Sequence, residues 1–515
     1  MPITTSTQVG FDWRKTRYTE YDTYGVGLPL APPINVAATS AQGVIQDYVE
    51  PFVTYGYLVQ QVIDIGDYGG VAGGFRSDYS SAFGEGSQAF TFPHANAYIT
   101  PSSFKFWEES VGNTLSFFKV RAAYGQAGIQ PQPFQRYPVI NQGDLGTTLT
   151  YSVPGTSNNP NLGVEVSTEK EIGTDLTISA VKQGSWLKQI NLSATYWTRK
   201  SDHVIWTVNT PSSMGITGIL TNALTLHSDG YQFQLNLPVY KGKDFSWDFT
   251  LNYGHQISIL DKIQGENEIL VTSNGGTSQV LQPGSKIGQI SGYKALTSFG
   301  ATNQEGVPYI AKADYGNYAM VNGRVVDTAT HYIKFTNETY PIGDGNPKFT
   351  ASFINGFGYK GILNLSFQFD WIYGSHLYNQ TKEWMYRDGI HGDFSKSVNI
   401  AGKTAAYTSY WSSAYYDDGS GNGNDAARDF FYESSSFLRL RNIGLAFDAA
   451  SFMKVKGIKK CQLVLTGRNV FTKTKYSGMD PEISAGTPNS AWDRTVDQST
   501  IPNIKSYQVG LNVGF

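Results

Sequence analysis

The amino-acid sequence predicts an all-β fold, an antiparallel transmembrane β-barrel with short periplasmic turns and long extracellular loops. Three observations carry that expectation. Apolar and polar residues alternate with a period of two along many stretches, which puts the two sets on opposite faces of strands. The links between those stretches alternate between long and short, the pattern of outer-membrane barrels. Composition agrees: of 515 residues only 16% are charged, while Gly (55), Tyr (33), Phe (29) and Trp (10) are abundant.

The first predicted strand runs from Thr5 to Arg14, where Thr5, Thr7, Val9, Phe11 and Trp13 oppose Ser6, Gln8, Gly10, Asp12 and Arg14. A second runs from about Tyr48 to Asp64 and turns at Gly66-Asp67-Tyr68-Gly69. Clear alternation returns over Ile190–Arg199, Tyr231–Val239, Phe245–Ile259 and Leu363–Tyr373. Near Asn442 the parity slips: Leu438 and Leu440 are even, Ile443, Leu445 and Phe447 odd, so a β-bulge is expected there. The last nine residues alternate without a break, with Tyr507, Val509, Leu511, Val513 and Phe515 on one face. Long links are expected at 125–166, 201–227, 261–346, 375–433 and 472–504. Short ones are expected near 101–115, 182–184, 240–243, 360 and 449–458. Counting strands in this way gives about 14. A soluble sandwich also alternates, with its apolar face inward, so the links discriminate better than the alternation does.

Several runs share a wider pattern. They are Arg76-Ser77-Asp78-Tyr79-Ser80-Ser81-Ala82-Phe83-Gly84, Phe92-Pro93-His94, Phe118-Lys119-Val120-Arg121-Ala122-Ala123-Tyr124-Gly125, Asn159-Pro160-Asn161-Leu162 and Gly173-Thr174-Asp175. Toward the end stand Ser436-Phe437-Leu438-Arg439-Leu440-Arg441-Asn442, Gly467-Arg468-Asn469-Val470-Phe471 and Lys475-Tyr476-Ser477-Gly478-Met479-Asp480-Pro481-Glu482. In this order and spacing they resemble the later barrel portion of the SusC/RagA family of TonB-linked outer-membrane receptors. Tyr79 replaces a Gly of the family pattern, and Val164 or Val166 stands where its Trp is expected.

The resemblance implies outer-membrane uptake of oligosaccharides or peptides, energised by TonB and covered by a SusD-like surface lipoprotein. Plugged transporters of this kind have about 22 strands. The expectation is therefore that residues 1–515 form the carboxy-terminal part of such a barrel, about 14 of 22 strands, without plug domain, TonB box or signal peptide. TonB contact would run through that missing region, and the isolated chain is expected not to perform active uptake. The amino terminus, Met1-Pro2-Ile3-Thr4-Thr5-Ser6-Thr7, has neither the basic region nor the apolar core of a signal peptide.

Other function classes find less support. A net charge of −3 gives no global basic footprint for nucleic acid. The lone Cys461 excludes an intrachain disulfide or a cysteine-built metal site. The seven histidines lack metal-ligand spacing, and Asp417–Asp425 lacks the spacing and closing Glu of an EF-hand. Glu108-Glu109 and Asp417-Asp418 read as solvated charges, and no nucleophile, P-loop or dinucleotide fingerprint stands in a strand–turn–helix context. No catalytic, cofactor or metal residue is therefore expected, and the chain is read as no enzyme. The alternative reading is a secreted or surface all-β carbohydrate-binding protein.

Ligand-contact candidates are the loop aromatics Trp384, Tyr407, Trp411, Tyr415 and Tyr416, with Tyr386 and Tyr410 beside them. A second group is Tyr293, Tyr309, Tyr315 and Tyr318. Rings next to amides and carboxylates suit stacking and hydrogen bonding to a glycan or peptide; the competing role is packing the loops together. Strand aromatics such as Trp247, Phe249, Phe369 and Trp371 are expected on the lipid face or in an interface girdle.

Overall fold

The structure is a computed structural model that describes residues 2–83, 89–146, 148–179, 186–265, 269–273, 277–406, 429–450, 457–485 and 495–515. Among the described residues, fourteen strands pair antiparallel in chain order along one sheet, to which Thr156–Ser157 adds a short parallel pairing at Gly218–Ile219. They are β1 (Ile3–Val26), β2 (Ala41–Ile65), β3 (Gly69–Ser80), β4 (Phe90–Ile99), β5 (Leu115–Ile129), β6 (Glu165–Ile178) and β7 (Ile190–Asn209). The second half is β8 (Gly218–Lys241), β9 (Phe245–Ile263), β10 (Phe349–Tyr359), β11 (Leu363–Tyr373), β12 (Phe437–Asp448), β13 (Lys460–Thr474) and β14 (Ser506–Gly514). The strand number expected from alternation is the one observed.

Long and short links alternate as expected, with one revision. The 201–227 link shrinks, because β7 continues to Asn209 and β8 starts at Gly218. β1 and β2 likewise reach beyond Arg14 and Tyr48, pairing Val26 with Ala41. These extensions lie past the apolar band: on β1 both faces meet water, and on β7 and β8 Val208, Ala223 and Leu224 are buried with loop residues, so no lipid face imposes alternation. On the outward face of β1 the change falls at Lys15 and Arg17, directly after Phe11 and Trp13.

The apolar residues of the wall point outward. Val9, Phe11, Trp13, Tyr57, Val71, Ile172, Tyr196 and Trp371 are exposed, the opposite of a soluble sandwich. Outward aromatics form two rows. One lies near the long loops, where Tyr253 stacks on Phe349 at 5.4 Å and Phe349 on Tyr373 at 5.3 Å. The other lies near the short turns, where Trp186 meets Tyr240 at 4.8 Å and Trp247 stacks on Phe357 at 5.6 Å. β10 starts on one row with Phe349 and ends on the other with Tyr359. Its ten residue steps span roughly 34 Å at about 3.4 Å each, which a tilt of about 40° reduces to roughly the 25 Å height of an outer-membrane apolar band.

The predicted bulge is present. Leu440 pairs with Phe369 and Asn442 with Gln368, which leaves Arg441 as the extra residue. The same break occurs against β13, where Asn469 takes a left-handed φ of +52°. Asn tolerates that region better than most residues. At the sheet's ends, no ladder joins β1 to β14 among the described residues, and both strands are exposed on both faces.

Three long loops fold together above the wall. Residues 264–348 contribute Ile290, Val321, Val326 and Ile333 to one buried cluster, and residues 374–436 contribute Tyr378, Tyr386, Ile400, Phe431 and Tyr432. Val496 comes from the last loop. His376–Asn379 pairs antiparallel with Tyr432–Ser434 and parallel with Val496–Asp497, so one small sheet joins two of the loops.

Candidate functional site: the polar inner wall and the capped mouth

Antiparallel pairing brings inward residues of successive strands to one level. Arg121, Ser193, Thr195, Gln232, Gln234, Asn252, Thr350 and Ser352 line a concave recess of about 440 Å³ on the inner face. Arg121 donates from Nη2 to Thr195 Oγ1 at 2.6 Å and lies 3.5 Å from Asp175, which accepts from Ser193 Oγ at 2.6 Å. A Cβ on Gly173 would come within 2.7 Å of the Arg121 guanidinium carbon, so glycine leaves that side chain its space. This gives the Gly173-Thr174-Asp175 run a physical role: one residue makes room for Arg121 and the other pairs with it. Arg76 and Asp78 pair at 2.7 Å farther along the same face. Inward hydroxyls and amides outnumber charges in the recess, which suits hydrogen bonding to polyols or peptide groups.

At the mouth, the bulge turns Arg441 inward beside Arg439. The Arg439 side chain is only 2% exposed. It donates to Asp480 Oδ1 at 2.5 Å, to Glu482 Oε2 at 2.5 Å and to Thr472 Oγ1 at 3.0 Å. Arg441 reaches Glu482 at 2.7 and 3.0 Å and Asp370 Oδ2 at 2.7 Å. Asp480 also accepts from the backbone N–H groups of Glu482 and Asn503, each at 3.0 Å. Two arginines and three carboxylates thus latch the last loop to the inner wall. Burial pushes the Asp480 carboxyl up, but those N–H groups and Arg439 outweigh it and hold it below its ordinary value.

A second suture ties the same loop to residues 374–436. Glu433 accepts from Lys382 Nζ at 2.9 Å, Ser477 Oγ at 2.7 Å and Ser477 N at 2.8 Å. Asp497 accepts from Tyr476 OH at 2.7 Å and Thr381 Oγ1 at 3.2 Å.

Between the first two loops, His376 Nδ1 accepts from Asp344 N at 3.4 Å. Burial holds His376 below its ordinary 6.5, against the pull of Asp344. A depressed pKa means the neutral ring is the form the cap favours. Its contribution is complete above 6.5 and is lost as pH falls from 6.5 through the lower folded value. Proteolysis of the cap should therefore accelerate between pH 7.5 and 5.5. His376→Gln, which keeps an acceptor without the titration, should flatten that dependence; an unchanged profile would remove His376 from the cause.

The predicted ligand aromatics fare unevenly. Trp384 is half-buried on the helix Gln380–Arg387. Tyr407, Tyr410, Trp411, Tyr415 and Tyr416, with Asp417–Asp425, lie outside the described residues. Tyr386 is buried in the cap core and donates to Asp393. Tyr309, Tyr315 and Tyr318 pack around Leu296, Ile310 and Val325, so they hold a loop together. Trp247, Phe249, Phe369 and Trp371 share the outward face, as expected. The inward Arg–Asp pairs were missed as site residues; their signal was a charge on the polar parity of a strand.

No protein-family model matches the chain. Among characterised proteins, it is 25% identical over 470 residues to TonB-dependent receptor P3 of Formosa agariphila, covering 85% of this chain and 43% of that protein. It is 24% identical over 454 residues to TonB-dependent receptor SusC of Bacteroides thetaiotaomicron, covering 85% and 41%. The chain is thus similar in sequence to the SusC-like TonB-dependent receptors. It spans less than half the length of these relatives. Among solved structures, the RagAB peptide importer in its closed-closed state superposes with a TM-score of 0.69 at 17% identity, over 99% of this chain and 54% of that one. That likeness is one of fold, and with the outward apolar band it places this SusC-like wall in the outer membrane.

Proposed function

We propose that the chain forms the carboxy-terminal wall and mouth of an outer-membrane importer for oligosaccharides or peptides. The observation that carries this reading is a polar inner wall, wrapped by an apolar exterior, whose mouth is covered by three loops sharing one core. Polar solutes held at the recess beside Arg121 would meet hydroxyls and amides in place of apolar walls. The relatives named TonB-dependent receptors and the RagAB peptide importer support the same class. In this reading a SusD-like lipoprotein covers the mouth, and TonB acts through a plug region outside these residues. The chain serves transport and no catalysis, with Trp384, Tyr407, Trp411, Tyr415 and Tyr416 as the candidate contacts to the solute.

The test is uptake of labelled oligosaccharides and peptides by cells lacking the receptor. A longer protein carrying this chain, of the relatives' length, should restore uptake that depends on TonB. The 515-residue chain alone should not. Restoration by the short chain alone would overturn the division of labour, and no uptake with the longer protein would overturn the importer reading.

A further inference from the structure

The turn between β4 and β5 carries a helix, α1 (Lys105–Ser110). Its Trp107 stacks on Phe118 at 5.3 Å with 24° between the rings, and the indole N–H donates to Leu115 O at 2.7 Å. Phe118 pairs with Leu176, on the outward parity of β5 that also holds Val120 and Ala122. The helix therefore rests against the outside of the wall. Phe104 closes the contact from the other side, 4.8 Å from Tyr68 in the β2–β3 turn. This fixed arrangement leaves Phe106 61% exposed and Val111 43% exposed. Around the same rim Trp186, Phe245 and Tyr359 are also exposed and outward, so α1 continues the row of interface aromatics.

We propose that α1 and its flanking turn form an interfacial collar, with Phe106 seated among phospholipid headgroups and upper acyl carbons at the short-turn side. Aromatic side chains favour that boundary. A short helix lying flat there has its backbone bonds satisfied and its apolar side chain out of water. The occupant is the lipid leaflet, because the exposed ring is continuous with a lipid-facing row and is held there by Trp107. The proposal rests on the outer-membrane placement.

The test uses the full chain in phosphatidylcholine vesicles, with Cys461→Ser removing the native thiol. One variant carries an environment-sensitive fluorophore at Phe106→Cys, a second at Ile172→Cys, which is outward, 55% exposed and on β6 four residues further up the wall than Leu176, the partner of Phe118. Lipids bearing nitroxides near the headgroup or near the bilayer centre then report depth. Position 106 should be quenched more by the shallow nitroxide, and position 172 more by the deep one. Quenching at 172 with water-like emission at 106 would overturn the collar alone. No quenching at 172 would overturn the membrane placement on which the collar rests.

Discussion

Replacing Arg439 by Ala should release the segment from Tyr476 to Asn503 from the wall while leaving the strands in place. The side chain is buried with Asp480, so its removal strands that carboxylate away from water, while Glu482 keeps Arg441 as a partner. Breaking a buried pair from one side costs about 3–5 kcal/mol. Each 1.4 kcal/mol is tenfold, so the undocked population of the loop should rise by roughly 100- to 4000-fold. Proteolytic cleavage within that loop, against an unchanged heat-modifiable barrel band, reads the effect. Arg439→Lys should fall between the two, because an ammonium cannot fork to two carboxylates and Thr472 together. Cleavage as slow in Arg439→Ala as in the unmodified chain would show that the sutures at Glu433 and Asp497 hold the loop by themselves.

Leu251→Arg should destabilise the wall by about 2–4 kcal/mol, the cost of a cation on the lipid face at mid-bilayer. Leu251 pairs with Leu235 and Phe353 on the outward parity, between Trp247 of one aromatic row and Tyr253 of the other. Its neighbour Asn252 faces inward onto the recess, so Asn252→Arg should cost far less. Urea unfolding from lipid vesicles measures both. Equal costs, or the larger one at Asn252, would mean that the faces have been assigned the wrong way round.

The wall was legible in the sequence where lipid enforces alternation. Between Val9 and Trp13, or Leu363 and Trp371, the bilayer permits only apolar side chains on one parity, and the register follows. Past Lys15 on β1 water on both sides removes that constraint, and from Gly218 to His227 on β8 the adjacent Ala223 and Leu224 are both buried with loop residues, so the strands ran on unseen. The bulge was legible because it shifts parity, and parity is what alternation records. Its purpose was not, since Glu482 is forty-one residues from Arg441 and only the fold joins them. The cap was illegible for a similar reason. Its core gathers Ile290, Tyr378 and Val496 from three separate loops, and no period in the chain marks residues that meet only in space.

That shared core restricts how the mouth can be re-engineered. A loop transplanted singly from a relative would bring its own Tyr432 or Val496 equivalent into a cavity shaped by the other two. Exchange of the mouth between such proteins therefore demands a cassette of three segments moved as a set, together with the arginine pair that receives the last of them.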